Sequence, residues 1–401
     1  MSTRLEPTEP SLLLPPQARL LHAGLPKTGT TALQHSASAQ RAELLRQGVR
    51  YPGKGLNHRK AGLVFAERVA GWRTPDQAAW LRLVQEVRDD HDSRVWLSNE
   101  NLAELPADVL RGLVDQLGGE VHAVLTLRSL PALLTSSWSQ YLKTGLRSPF
   151  DRWVEAVLAP QEGEHVTPSF HRRNDLAALV RTWVDVVGAD RLTLVVLDPA
   201  DRARVPTAFE SLLGLAPGTL AAVPLTGGDT NRSFTVAEAE LVRRLNERVH
   251  AREDLDWSDY HRFVRKGAVN GLLRRTPDPG EPRIVPPRWA VERSVELAEG
   301  HRAAVEALDV RVVGDLAGLA TPVPAREQAA EVPGLPVDAA VEALMACLEA
   351  GRGASPAPPA APPAVPPAPA RGLDGVPAAV LARTLARRVA GRARRAVRGR
   401  G

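Results

Sequence analysis

The segment His22-Ala-Gly-Leu-Pro-Lys-Thr-Gly-Thr-Thr31 gathers one lysine, three threonines and two glycines between a short apolar run and a helix-like stretch. A helix N-terminus has free backbone N–H groups and the positive end of the helix dipole, so it attracts anions. Gly29 lets a backbone approach closely, Lys27 supplies a charge, and Thr30 and Thr31 supply hydroxyl donors. The chemistry these types perform at this spacing is the cradling of a phosphate, with Pro26 to Thr31 as the cradle.

A nucleotide-hydrolysing loop has the pattern G-x-x-x-x-G-K-[ST]. Gly24 and Gly29 have that spacing, but Thr30 stands where the lysine belongs, and the lysine lies inside the loop at position 27. This departure disfavours a P-loop kinase or NTPase, as does the lack of a clear acidic magnesium motif further on. The run Pro-Lys-Thr-Gly-Thr-Thr instead resembles the 5′-phosphosulfate loop of sulfotransferases. The resemblance implies 3′-phosphoadenosine 5′-phosphosulfate as co-substrate, with Pro26, Lys27, Thr28, Gly29, Thr30 and Thr31 binding it. Lys27 would then stabilise charge developing on the leaving phosphate, an electrostatic role.

The same family holds the donor's 3′-phosphate with an Arg at a strand end and a Ser eight residues later. Here the run Val121–Leu127 ends at Arg128, Ser136 lies eight residues on, and Trp138 follows two later. Arg offers a planar fork and Ser a hydroxyl, so the resemblance implies that Arg128 and Ser136 form the second anchor. The proline of this motif is displaced, to Pro131. A weaker similarity is Phe263-Val-Arg-Lys-Gly267, which in animal members grips the same phosphate, but its second glycine, Gly271, comes four residues later instead of three. With Trp183 to Gly188 and Thr230 to Thr235, which resemble the bacterial branch, the likeness covers roughly residues 18–250.

Attack by an acceptor hydroxyl benefits from a general base. The related families use a His or a Glu, the Glu some twenty to thirty residues beyond the loop lysine. That stretch, Gly48 to Lys60, has no acid but contains His58, whose side-chain class titrates near 6.5. His58 is the first candidate, against the plainer reading of a polar loop histidine. Glu100 is the second. It follows Ser98-Asn at the carboxyl end of an expected parallel strand, where open α/β sheets place their sites, though a carboxylate there can also simply offset a helix dipole. Ser98 can line the site, and His22 can face the nucleotide or pack within its strand. Ten His and one Cys show no metal-ligand spacing, and the chemistry requires no metal.

To position these residues the chain offers four nearly continuous apolar runs, at 18–24, 94–98, 121–128 and 192–198, which read as strands buried on both faces. Helical stretches fall at about 30–47, 76–90, 101–117, 131–143 and 172–188. The expected fold is an α/β three-layer, doubly wound parallel sheet. Thr235-Val-Ala-Glu238 is a capping box behind Phe234, with Leu241, Leu245 and Val249 on one face. Residues 276–290 read as a Pro-rich loop, and 338–350 as a helix with Val341, Leu344 and Leu348 on one stripe.

The domain boundaries expected are an extension at 1–17, the main domain at 18–320, a peripheral helical segment at 321–351, a Pro/Ala linker at 352–371 and a basic helical tail at 372–401. Of the formal charge of +5, eight positive charges belong to arginines of the last 26 residues, which leaves −3 for the rest of the chain. The tail, with Leu381, Leu385 and Val389 on one face, reads as a docking helix for an anionic membrane surface or a protein partner, or as a solubilising tail. It has no aromatics for stacking, so no specific nucleic acid is expected. A single cysteine, no apolar run of membrane-spanning length and no signal peptide suggest a cytoplasmic protein, membrane-peripheral if the tail docks. The function expected is transfer of a sulfuryl group to a hydroxyl or amine of a glycan, lipid or secondary metabolite. The alternatives are the kinase or NTPase above and a non-catalytic nucleotide-binding scaffold.

Overall fold

The computed structural model describes residues 12–65, 75–159, 167–221, 232–328, 331–332 and 334–352. The Pro/Ala linker and the basic tail therefore lie outside the described residues. Six strands form one sheet: β1 (Arg19–Gly24), β2 (Val49–Arg50), β3 (Arg94–Ser98), β4 (Val121–Leu127), β5 (Leu192–Val196) and β6 (Arg311–Val313). Their order is β2-β3-β1-β4-β5-β6, and every pairing is parallel. All seven residues of β4 and all six of β1 are buried, as expected of strands covered on both faces.

Side chains alternate between the two faces. Leu20, Trp96, Val124 and Val195 point to one side. There they pack against α1 (Thr30–Ala39), α2 (Arg41–Arg46) and α9 (Arg204–Leu213) through Leu33, Leu44 and Phe209. Leu21, Leu97, Leu125 and Leu194 point to the other side. That side is covered by α3 (Gln77–Asp89), α4 (Ala107–Leu117), α5 (Leu130–Leu142), α8 (Leu176–Val187) and α11 (Arg288–Glu306), with α6 (Phe150–Leu158) and α7 (Pro168–Asn174) filling in around α5 and α8. The result is the three-layer α/β arrangement expected.

From β1 the chain runs outward to β2, returns through β3, and then crosses β1 to reach β4. The carboxyl end of β1 is thus the topological switch point, where crevices open in such sheets. Two expected helices are broken: the first at Gln40, between α1 and α2, and the fifth at Asp175, whose carboxylate caps α8. The capping box is formed, with Thr235 Oγ1 accepting from the Glu238 N–H while Glu238 accepts from the Thr235 N–H, and it starts α10 (Val236–His250). The Pro-rich loop ends sooner than expected, because α11 begins at Arg288.

Beyond α10 a π-helical segment, Tyr260–Val269, continues into Asn270–Arg274 and packs against α12 (Val337–Arg352). The contact is close because it is built of small residues. A Cβ on Gly271 would lie 2.4 Å from the Glu342 carbonyl oxygen, and one on Gly267 3.1 Å from the Cys347 Cα. No helix among the described residues is long and apolar enough to cross a membrane.

Candidate active site

The loop after β1 is shaped by three residues with left-handed backbone. Gly24 has φ 109°, and a Cβ there would lie 2.9 Å from the Glu100 Cα, so only glycine lets β1 pass so close to the turn that follows β3. Lys27 has φ 70°, a conformation that costs a non-glycine residue about 1 kcal/mol or more. Gly29, at φ 81°, stands at the N-cap of α1 with open space around its Cβ position, so backbone conformation alone calls for glycine there. No side chain caps α1 and no acid lies in its first turn, so its N-terminal dipole is left uncompensated by the helix itself.

A buried polar network supports the loop from beneath. Thr28 is fully buried, and its hydroxyl turns inward, donating to the Leu25 carbonyl and meeting Thr126 Oγ1. Only the backbone of Thr28 is therefore left for a ligand. The hydroxyls of Thr30 and Thr31 have no partner among the described residues; Thr30 is buried and Thr31 half-buried. His22 is fully buried between Ser98 Oγ at 2.9 Å and Thr126 Oγ1 at 3.4 Å, and burial drives its pKa down to about 3. It is a packed strand residue and does not face an open cleft.

Gln34, on α1, gathers three groups. Its amide nitrogen donates to Ser98 Oγ at 3.0 Å and to Glu100 Oε2 at 3.1 Å, while its carbonyl oxygen accepts from Asn57 Nδ2 at 2.9 Å. The half-buried Glu100 is thus held at the carboxyl end of β3, next to the loop, and near enough to Lys27 to oppose in part the lowering of the lysine's pKa by burial.

His58 is placed differently from its expected role. Its Nδ1 accepts the backbone N–H of Ser98 at 2.9 Å, and its Nε2 donates to the Pro52 carbonyl at 2.9 Å. Both nitrogens are occupied and the ring is buried; burial lowers its pKa to about 4, with the contact to the Pro52 carbonyl acting the other way. With no free lone pair, this imidazole pins the loop at 52–58 to β3 and cannot accept a proton without losing its bond to Ser98.

Lys27 Nζ donates to Gln140 Oε1 at 2.8 Å, which ties the loop to α5. Burial lowers the Lys27 pKa, and Arg128 lowers it further. Arg128, just past β4, donates from Nη1 to the Lys27 carbonyl at 3.2 Å, so the two expected anchors meet across 101 residues of sequence. Ser136 does not join them. Its hydroxyl donates back to the Ala132 and Leu133 carbonyls of its own helix. The cleft beside Lys27 is lined instead by Ser137, with Pro26, Gln140 and Tyr141. Trp138 is buried, with its Nε1 on the Ser148 carbonyl.

A further cation was not foreseen. Lys143, one turn after Gln140, lies 5.1 Å from the centre of the Phe234 ring. Burial, together with the charges of Lys27, Arg232 and Arg265, lowers its pKa to about 7. Arg265 is itself depressed by burial and then by Arg59. Among the described residues neither Lys143 nor Arg265 forms a salt bridge. Arg265 therefore belongs to this cationic cluster, while the glycines that follow it, Gly267 and Gly271, serve the α12 contact and not a phosphate. Lys143 carries no local signal in sequence; only the helical spacing from Gln140 connects it to the site. Among the described residues no cluster of three or more His, Cys, Asp or Glu is arranged to hold a metal ion.

No protein-family model matches the chain, and no curated protein matches it. Among solved structures, a sulfotransferase from Alicyclobacillus acidocaldarius is similar over 75% of this chain and 97% of its own, at 16% identity and a TM-score of 0.42.

Proposed function

We propose that the protein is a sulfotransferase that takes 3′-phosphoadenosine 5′-phosphosulfate as donor and a hydroxyl- or amine-bearing acceptor. The observation that carries this reading is the convergence of Lys27 and Arg128 at an uncapped helix N-terminus on the sheet's switch point. The residues present suit such a donor. It is polyanionic, and the site offers Lys27, Arg128, Lys143 and Arg265 with few acids to neutralise them. The backbone of 27–30 and the charge of Lys27 would hold the phosphosulfate end, with Ser137 in the same cleft, and Arg128 would hold the other phosphate.

In the reaction the acceptor oxygen forms a bond to sulfur as the bond from sulfur to the bridging phosphate oxygen breaks. The acceptor proton passes to a base, and adenosine 3′,5′-bisphosphate leaves. Glu100 is the base in this reading, because it is half-exposed and has one oxygen free of protein partners among the described residues, whereas His58 has neither nitrogen free. Gln34 acts as its positioning residue. Lys27 offsets charge on the leaving oxygen.

Calorimetric titration with adenosine 3′,5′-bisphosphate, set against ATP with magnesium, tests the donor site. Binding of the bisphosphate in preference to ATP is expected, weakened about tenfold or more in Arg128→Ala. A preference for ATP would overturn the reading. Glu100→Gln is expected to keep bisphosphate affinity and lower turnover about 100-fold or more, once an acceptor is in hand. Equal turnover in that variant would remove Glu100 from the role.

A further inference from the structure

On α12 the amphipathic pattern is inverted. Its buried face consists of Ala339, Ala343 and Ala346, set against the glycines of the Tyr260–Val269 segment and its continuation. Its large apolar residues face outward: Val337 is 79% exposed, Val341 49%, Leu344 65%, Met345 48% and Leu348 59%. Single exposed apolar side chains are ordinary, but five on one helix face form a patch of the kind that marks an interaction surface. The positions 337, 341, 344 and 348 are spaced four, three and four apart, the seam spacing of helices that pack side by side.

The charges at the ends of this stripe indicate its occupant. Asp338 lies at the N-terminal end and Arg352 at the C-terminal end. Asp338 also accepts from Arg275, yet keeps 61% of its side chain exposed. Arg352 has no salt bridge among the described residues. Against a second α12 running antiparallel, with the two-fold axis between Leu344 and Met345, Val341 faces Leu348 and Leu344 faces Met345 of the other copy. Arg352 of each copy then comes to Asp338 of the other, at both ends. A parallel pair would set Asp338 beside Asp338 and Arg352 beside Arg352. The charges at the ends of the stripe are thus complementary when the two-fold axis runs perpendicular to the helices, and like charges meet when it runs along them; either way the contact is isologous, and the first is favoured.

The geometry points to a homodimer formed by antiparallel packing of α12 on α12, apolar at its centre and closed by Asp338–Arg352 pairs at its ends. Sedimentation velocity on the full chain tests it first. A dimer of twice the 43.2 kDa chain mass is expected at micromolar concentration. The double variant Leu344→Glu, Leu348→Glu should raise the dimer dissociation constant more than 100-fold with an unchanged circular dichroism spectrum, since both positions are exposed in the single chain. A wild-type chain that stays monomeric at 100 micromolar, whatever covers its stripe, overturns the proposal, as does a dimer that survives the double variant. Orientation is read by a short bis-maleimide in a Cys347→Ser background. Leu344→Cys, beside the axis, should cross-link to itself. Val337→Cys should not, because the antiparallel copies place it about 22 Å from its mate along the helix axes at 1.5 Å per residue. Cross-linking at 337 in place of 344 overturns the antiparallel arrangement.

Discussion

Lys143 holds an ammonium group against the face of Phe234 and amid other cations, and it loses its proton near pH 7. An anion arriving beside it favours the charged form and raises its pKa, so binding must take up a proton. At pH 8, where Lys143 is mostly neutral, binding of adenosine 3′,5′-bisphosphate is expected to take up close to one proton. Calorimetry in buffers of different ionisation enthalpy reads this directly. The uptake should vanish in Lys143→Met, and a wild-type protein that binds without uptake would place Lys143 outside the anion's reach. This residue also marks where reading the sequence ran out. The loop at 24–31 was legible because its residues are contiguous and a single turn needs them all. Gln140 and Lys143 were not, because their tie to Lys27 spans more than a hundred residues and depends on how α5 lies over the sheet. Counting eight residues from a strand end fixed the position of Ser136 along α5 but not the side it faces, and its hydroxyl turns back onto its own helix.

At the level of elements, Arg275 joins three parts of the chain. It pairs with Glu238 at 2.9 Å, with Glu281 in the Pro-rich loop, and with Asp338 at the start of α12. Glu238 is fully buried, caps α10, and has Arg232 as its other cationic partner. Removing one partner from a buried ion pair leaves a stranded charge, at a cost of about 3–5 kcal/mol. Arg275→Met is therefore expected to lower stability by roughly 3 kcal/mol or more in urea unfolding. A change under 1 kcal/mol would mean that Arg232 alone satisfies Glu238. The four long strands and this capping box were visible in sequence, since each is a continuous apolar run or a fixed four-residue spacing. Strands β2 and β6, of two and three residues, were not, because so short a run has no period of its own and owes its extended form to the neighbour it pairs with. The stripe of α12 was visible too, but spacing alone does not tell which side of a helix turns outward when the other side is alanine.

For the molecule as a whole, three buried histidines contribute to the response to acid between pH 6.5 and 4. His22 titrates at about 3, and His58 and His122 at about 4, each lowered chiefly by burial. In the unfolded chain each takes a proton near 6.5. Below that value the unfolded state binds more protons than the folded one, so stability falls as the pH drops from 6.5 toward 4 and is insensitive to these groups above 7. Each contributes a slope of up to about 1.4 kcal/mol per pH unit within that window. Urea midpoints at pH 7.5 and pH 5 should differ accordingly. His122→Asn, at a site distant from the loop, should flatten the slope by one histidine's share; an unchanged slope would show that His122 is already protonated in the folded state.

The approach of Gly24 to Glu100 bears on how such a molecule diversifies. Main chain meets main chain there, with no room for a Cβ between them. On the proposed reading, the spacing between the donor loop and the base is therefore written in the backbone and is insulated from whatever side chains surround the acceptor. Side-chain substitutions elsewhere around the site can then change acceptor choice without disturbing the distance over which the group is transferred, while any side chain at position 24 would force these two backbones apart.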